Sequence, residues 1–225
     1  MEAAFAGGRD RCHGGEPDPS RPGVLTEGGD RLRLAPSTER DLRRVQTPLY
    51  RRILGASFDT LPPQLRELHG SCEPRTWWGH ANVRHGGGVL ARLVRALIGF
   101  PEEGSDVPLS VAFSPIGEGE RWTRTFDGKP FHSYQFPGKG RDALLLDERF
   151  GLATFALALV VDGERLVLIP RRWSLLGMPM PAFLLPRGIS FEHEIDGRFC
   201  FDVEISAPFV GLIVGYRGSL VALAT

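Results

Sequence analysis

The spacing of apolar residues changes character once along this chain. Between residues 47 and 99 it is largely helical. Thr47-Pro48 reads as an N-cap followed by proline at the first helical position, with Tyr50, Ile53, Leu54 and Phe58 at helical spacing behind it. A weaker start, the capping box Thr38-x-x-Asp41, precedes it. Leu61, Leu65 and Leu68 form a second stripe over Pro62 to His69, and Gly70 is the stop. A third helix fits Gly88 to Gly99, where Leu90, Leu93, Val94 and Leu97 make one face and Arg92 and Arg95 the other. Trp77 to Arg84 reads as a first strand.

From Val107 onward the pattern is that of strands. Runs near 108–114, 120–126, 130–136, 143–149, 153–161, 164–170, 190–195, 198–206 and 212–222 are rich in β-formers. Asp127-Gly128, Asp162-Gly163 and Asp196-Gly197 sit between such runs, a strong hairpin cue. The links are too short for crossover helices, so the sheet is antiparallel. That many strands tend to curl or close. The expected fold is α+β and mainly antiparallel β. It is a strongly curved or barrel-like sheet with short N-terminal helices and one amphipathic helix packed on it.

Two segments predict more. If Ile195-Asp196-Gly197 is a three-residue loop, Glu194 faces Arg198, His193 pairs with Phe199 and Phe191 with Phe201. Phe191, His193, Phe199, Phe201, Val203 and Ile205 then share one face, and Glu192, Glu194, Arg198, Cys200, Asp202 and Glu204 the other. A two-residue loop mixes the faces, so the register favours the longer one. Ala153–Val161 is apolar on both faces, which predicts a central strand covered on both sides.

Composition narrows the class. The 225 residues carry 27 basic and 27 acidic side chains, so no net charge draws the protein to nucleic acid or to an anionic membrane. Lys129 and Lys139 are the only lysines; arginine supplies the rest. Residues 1–36 hold seven glycines, with prolines at 17, 19 and 22, and few large apolar residues. They read as a disordered tail or linker, and residues 37–225 as a single β-rich domain. Cys12, Cys72 and Cys200 form no CxxC pair and suit free thiols in a reducing compartment. No signal peptide or membrane-spanning run is visible, which places the expected location in the cytoplasm.

Several constellations are candidates for chemistry. Trp122, Arg124 and Phe126 alternate onto one side of a strand, where an arginine between rings could anchor a polar headgroup in an apolar pocket. The structural alternative is a core arginine paired with Glu148 or another acid. Gly177 to Pro186 holds three prolines with Met178, Met180 and Phe183, and reads as a stiff loop that plugs the sheet or lids a greasy cavity. Glu192, Glu194 and Asp202 could serve as acid and base if buried, though a solvated outer face is the favoured reading. His80 and His85 match no zinc spacing, and His69 suits a helix C-terminus. Ser133 and His132 point to opposite faces of a strand.

A family resemblance covers roughly residues 45–222. It rests on Tyr50-x3-Leu54-Gly55-x2-Phe58-x2-Leu61-Pro62, His69-Gly70, Trp122-x-Arg124-x-Phe126, Phe131-x-Ser133 and Glu148-x-Phe150-Gly151. It continues through Gly177-x-Pro179-x-Pro181, Phe199-x-Phe201-Asp202-Val203, Pro208 and Tyr216-x-Gly218-x-Leu220. The pattern resembles an uncharacterised family of bacterial proteins, domain of unknown function 4166. Relatives joined to reductase-like dinucleotide-binding domains imply a reductase partner supplied by another chain, since residues 1–40 hold no GxGxxG. The resulting expectation is a non-catalytic module for a small apolar or lipid-like ligand. A hydrolase or isomerase using the carboxylates and a protein-docking domain are the alternatives. No cofactor and no metal are expected.

Overall fold

Ten strands close on themselves in this chain, and two short helices stop one end. The computed structural model describes residues 47–188 and 190–223. The expected tail over residues 1–36 and the capping box Thr38-x-x-Asp41 lie outside the described residues.

Helix α1 (Leu49–Leu54) runs into a 3-10 turn, Gly55–Thr60, and helix α2 spans Pro63–His69 with proline in its first turn. Strand β1 (Arg75–His85) leads into helix α3 (Val89–Ile98). Then follow β2 (Gly104–Ile116), β3 (Gly119–Phe126), β4 (Lys129–Pro137), β5 (Leu146–Phe150), β6 (Ala153–Asp162) and β7 (Arg165–Leu175). A two-residue strand β8 (Met178–Pro179) precedes β9 (Ser190–Ile195), β10 (Arg198–Ala207) and β11 (Gly211–Ala222). All the expected helices and strands form, with boundaries moved by a few residues. The first helix starts at Leu49 with Pro48 as its cap, one residue later than the Thr47 cap predicts.

Every pairing is antiparallel, each strand lies beside its sequence neighbour, and β11 returns to β1. Only β8 stands outside the ring, hanging on the end of β7, so that β7 pairs with β9 through Leu166–Glu192 and Val167–Phe191. An up-and-down ring puts alternate connections at opposite rims. The lower rim carries the β2–β3, β4–β5, β6–β7 and β9–β10 turns. The upper rim carries α3, the β3–β4, β5–β6 and β10–β11 turns, and the long segment from β7 to β9.

Helices α1 and α2 occupy the lower end. Arg52 bonds the Glu118 carbonyl in the β2–β3 turn, and the Gln64 N–H donates to Glu194 Oε2 at 2.8 Å beside the β9–β10 turn. Their apolar stripe, Tyr50, Ile53, Phe58, Leu65 and Leu68, joins Trp77, Phe113, Trp122 and Phe199 from the barrel wall in one core. The lower end of the barrel is therefore packed.

Three expectations are corrected. The β9–β10 loop has two residues, because Ile195 pairs with Arg198, Glu194 with Phe199 and Glu192 with Phe201. Asp196 and Gly197 both adopt left-handed φ, 51° and 72°, which is the mirror-image turn that Asp-Gly favours. Glu192 and Glu194 thus share a face with Phe199 and Phe201, while Cys200 and Asp202 take the other with His193. The mixed face is tolerated because α2 satisfies both carboxylates.

The β6 strand is paired on both edges but covered on one side only. Its outer positions include Ala156, Ala158 and Val160, and Val160 is 39% exposed. A closed barrel has one inner face. Lastly, α3 packs through Ala91, which is fully buried, and through Arg95, which donates to the carbonyls of Gly86 (2.9 Å) and Ile213 (3.1 Å). Of the stripe expected to be buried, Leu90, Leu93 and Leu97 stand in solvent, and only Val94 packs, half-buried, against the core.

Candidate functional site

Between the helical plug and the upper rim the barrel holds a cavity of about 490 Å³. Phe150, Phe155, Leu157, Leu168, Trp173 and Ile213 make apolar walls. Its upper border is formed by Val94, Leu97 and Ile98 of α3, Leu152, Leu184, Pro186, Pro208 and Val210, all from upper-rim connections. A polar cluster of Tyr50, Arg124, Gln135, Glu148, Glu192 and Tyr216, from six different elements, lines it, and Arg187, Ser190 and Glu204 line it as well. A side recess of about 50 Å³, room for a water or two, shares Trp122, Arg124, Glu192 and Tyr216 with it.

Strand alternation explains how these side chains meet. Trp122, Arg124 and Phe126 take the inner face of β3, Ser133 and Gln135 that of β4, and Glu148 that of β5. Glu148 Oε1 accepts from Ser133 Oγ at 2.8 Å, from Gln135 Nε2 at 3.1 Å and from Arg124 Nη2 at 3.3 Å. Arg124 Nη1 donates to Ser133 Oγ at 2.8 Å, and its guanidinium lies 4.8 Å from the Trp122 ring centre. Tyr50 reaches up from the plug and donates to Gln135 Oε1 at 3.1 Å. Arg124 is thus the core arginine paired with Glu148.

A second polar group joins the plug to β9. His69 Nε2 lies 2.6 Å from Glu192 Oε2, and the His69 ring stacks on Tyr50 with centroids 3.7 Å apart. His69 therefore serves Glu192, and the end of α2 is held by Arg75, whose Nε donates to the Leu68 carbonyl at 2.7 Å. The buried His69 Nδ1 has no hydrogen-bond partner among the described residues. Glu120 closes the set: it pairs with Arg75 at 3.3 Å and accepts from Trp122 Nε1 at 3.1 Å.

Burial pushes the Tyr216 phenol up to about 12, with the Glu148 and Glu192 charges adding to the effect against Arg124. Burial, then the carboxylates of Glu192, Glu148 and Glu120, raise Tyr50 well above its ordinary value. Both phenols are neutral hydrogen-bonding groups at ordinary pH.

The residues singled out from sequence are distributed as follows. Trp122 and Arg124 line the cavity, and Phe126 lines only the recess. Met178 and Phe183 are exposed at the upper rim and Met180 is half-buried there; Leu184 and Pro186, from the same segment, reach the cavity. Glu192 is inside, Glu194 sits at the lower end against α2, and Asp202 is on the outer face, so these three carboxylates do not converge. His85 Nε2 bonds the Pro101 carbonyl at 2.8 Å. Among the described residues no three His, Cys, Asp or Glu side chains gather as a metal site would require.

Tyr50, Gln135 and Tyr216 are site residues that the sequence pattern does not single out, and it gives His69 and Glu148 only the roles of a cap and a partner. The available signal was the family pattern, which includes Tyr50, His69, Trp122, Arg124, Ser133, Glu148 and Tyr216. No helix among the described residues is long and apolar enough to cross a membrane. No curated protein and no solved structure gives a match to this chain. A family model does match, over residues 61–220, a span that includes the second plug helix and every barrel strand except the last two residues of β11. The chain belongs to the family described as domain of unknown function (DUF4166).

Proposed function

We propose that the barrel binds an elongated, mostly apolar molecule that ends in an uncharged hydrogen-bonding group. The observation that supports this most directly is the cavity. Its volume of about 490 Å³ lies in the range of small-molecule sites, and its walls are apolar above a compact polar cluster.

The charge on the headgroup follows from pairing. Each buried carboxylate already has a basic partner: Glu148 has Arg124, Glu120 has Arg75 and Glu192 has His69. At that cluster an anionic head would meet Glu148 and Glu192 with Arg124 already neutralised, while Arg187 lines the cavity from the upper-rim segment, so the head would lose its own hydration there without gaining an unpaired cation. A hydroxyl, carbonyl or ester instead finds Tyr50, Tyr216 and Gln135 as uncharged donors and acceptors. Transfer of such a ligand to a reductase acting from another chain fits this reading, and its support is the family resemblance alone.

A second reading has one observation behind it. Glu192 touches the cavity and is bonded to a buried histidine, an arrangement able to take up and return a proton, so an isomerase or hydrolase would use this pair.

Native mass spectrometry of the purified protein, with extraction of any bound molecule, is the direct test. It is sharpened by titrating a long-chain alcohol and the acid of the same length while following tryptophan fluorescence. The alcohol should bind at least about tenfold more tightly. Filling the cavity with Leu168→Trp should abolish binding of both. Failure of the alcohol to bind, with no co-purified ligand, would overturn the reading. Turnover of a bound ester that is lost in Glu192→Gln would favour the second one.

A further inference from the structure

The upper rim exposes large apolar side chains from several connections that are far apart in sequence. Leu90 and Leu93 project from α3, Leu152 from the β5–β6 turn, Leu176 and Phe183 from the β7–β9 segment, and Phe209 from the β10–β11 turn. Leu93 is 64% exposed and Phe209 is 87% exposed. Phe209 also holds a left-handed φ of 65°, unusual for a bulky side chain. Single exposed apolar residues need no explanation, but a ring of them around one mouth does.

Charge supplies the identity of the partner. The apolar part of the rim carries Arg92, Arg95 and Arg187 and no acidic residue across residues 86–101, 151–152, 176–188 and 208–210. None of these three arginines has an ion-pair partner among the described residues, although Arg95 is hydrogen-bonded to carbonyls. The rim's acids, Glu102, Glu103, Asp106 and Asp127, lie toward the β2–β4 sector, where Lys129 pairs with Glu102 at 3.5 Å. By contrast, the outward positions of β1 to β5 include His80, Asn82, Arg84, Ser114, Arg121, His132 and Arg149. That wall is not the apolar belt of a barrel that spans a bilayer.

We infer that the upper rim docks on the surface of an anionic lipid bilayer, with α3 lying in the interface and the cavity mouth against the lipid. Leu90, Leu93 and Phe209 enter the headgroup boundary, while Arg92 and Arg187 contact anionic headgroups. The apolar stripe of α3 then has the partner it lacks in the barrel. The docking rests on the rim alone and does not depend on what fills the cavity.

The test is flotation of the full chain with phosphatidylcholine vesicles, with and without phosphatidylglycerol. Wild type should float with the anionic vesicles at low salt, and less so as salt rises. Leu93→Glu should reduce the bound fraction by tenfold or more, and Phe209→Ser, on a separate connection, should reduce it in the same direction. Arg92→Gln and Arg187→Gln should each weaken partition by roughly fivefold. Absence of wild-type flotation would overturn the proposal. So would flotation unaffected by the rim variants, or a stable dimer in solution that the same variants dissolve, since a second copy would then cover the face. All of these residues are exposed, and circular dichroism checks that each variant is folded.

Discussion

The two ends of this barrel solve opposite problems with the same residue types. At the lower end, charged and polar side chains are buried, and neighbouring strands or the plug helices bring each of them a partner. At the upper end, leucine and phenylalanine are exposed, and arginines stand unpaired beside them. Burial of Glu192 and half-burial of Glu194 are tolerable only because α2 delivers His69 and the Gln64 N–H to them. Exposure of Leu93 and Phe209 costs little in folding, because these residues are in water in the unfolded chain as well. Polarity along the sequence therefore says less about location than the partner that meets each side chain.

The sharpest way to break the lower end is Arg124→Leu. It leaves Glu148 buried with Ser133 and Gln135 but without its cation, so stability should drop by roughly 3–5 kcal/mol in denaturant melts. Replacing Glu148 with leucine at the same time should recover much of the loss. A loss below about 1 kcal/mol would show that water in the cavity shields the pair.

Next in size is Leu65→Ala. Leu65 is completely buried in the interface between α2 and the barrel core, and deletion of its side chain should cost roughly 2–5 kcal/mol. If the plug were an accessory, the loss would be small and confined to protease sensitivity of residues 49–70.

Most of the barrel was legible in the sequence, and the reasons are local. Asp127-Gly128 and Asp196-Gly197 each supply two left-handed residues in a row, and the flanking runs alternate well enough to place the strands. In β9–β10 the clean-face pattern and the turn chemistry point to different registers, and the Asp-Gly turn prevails. The correct pairing puts Glu192 opposite Phe201, and its rationale lies at His69, 123 residues earlier in the chain. No local pattern carries that information. The face of α3 was misread for a related reason: an apolar stripe signals that something covers it, without saying that the cover is the same chain. The polar cluster was hidden because Tyr50, Gln135, Glu148, Glu192 and Tyr216 each sit on a different element.

Alkaline titration probes the same interior with a smaller effect. Tyr216 titrates near 12 in the folded protein against 10.0 ordinarily, so the unfolded chain gives up this proton first. Its contribution is whole below pH 10 and is lost between pH 10 and about 12, with a maximum near 3 kcal/mol. Tyr50 moves in the same direction. Tyr216→Phe should flatten the fall in stability above pH 10. An unchanged slope would mean that the phenol reaches bulk water through the mouth.

The smallest effect belongs to the upper end, and it completes the contrast. Leu93→Ser removes as much apolar side chain as Leu65→Ala does, and introduces a hydroxyl besides. Leu93 lies mostly in solvent, on the face of α3 away from Ala91, so little apolar surface returns to water when it is replaced. Serine is a slightly poorer helix former than leucine, which costs a few tenths of a kcal/mol at an exposed helical position. The midpoint in denaturant should therefore shift by less than about 0.5 kcal/mol, as for an ordinary surface change. A loss near that of Leu65→Ala would mean that the face of α3 is covered in solution, by another copy or another part of the chain. Repeating the melt at several protein concentrations separates those two covers, since only a second copy makes the midpoint depend on concentration.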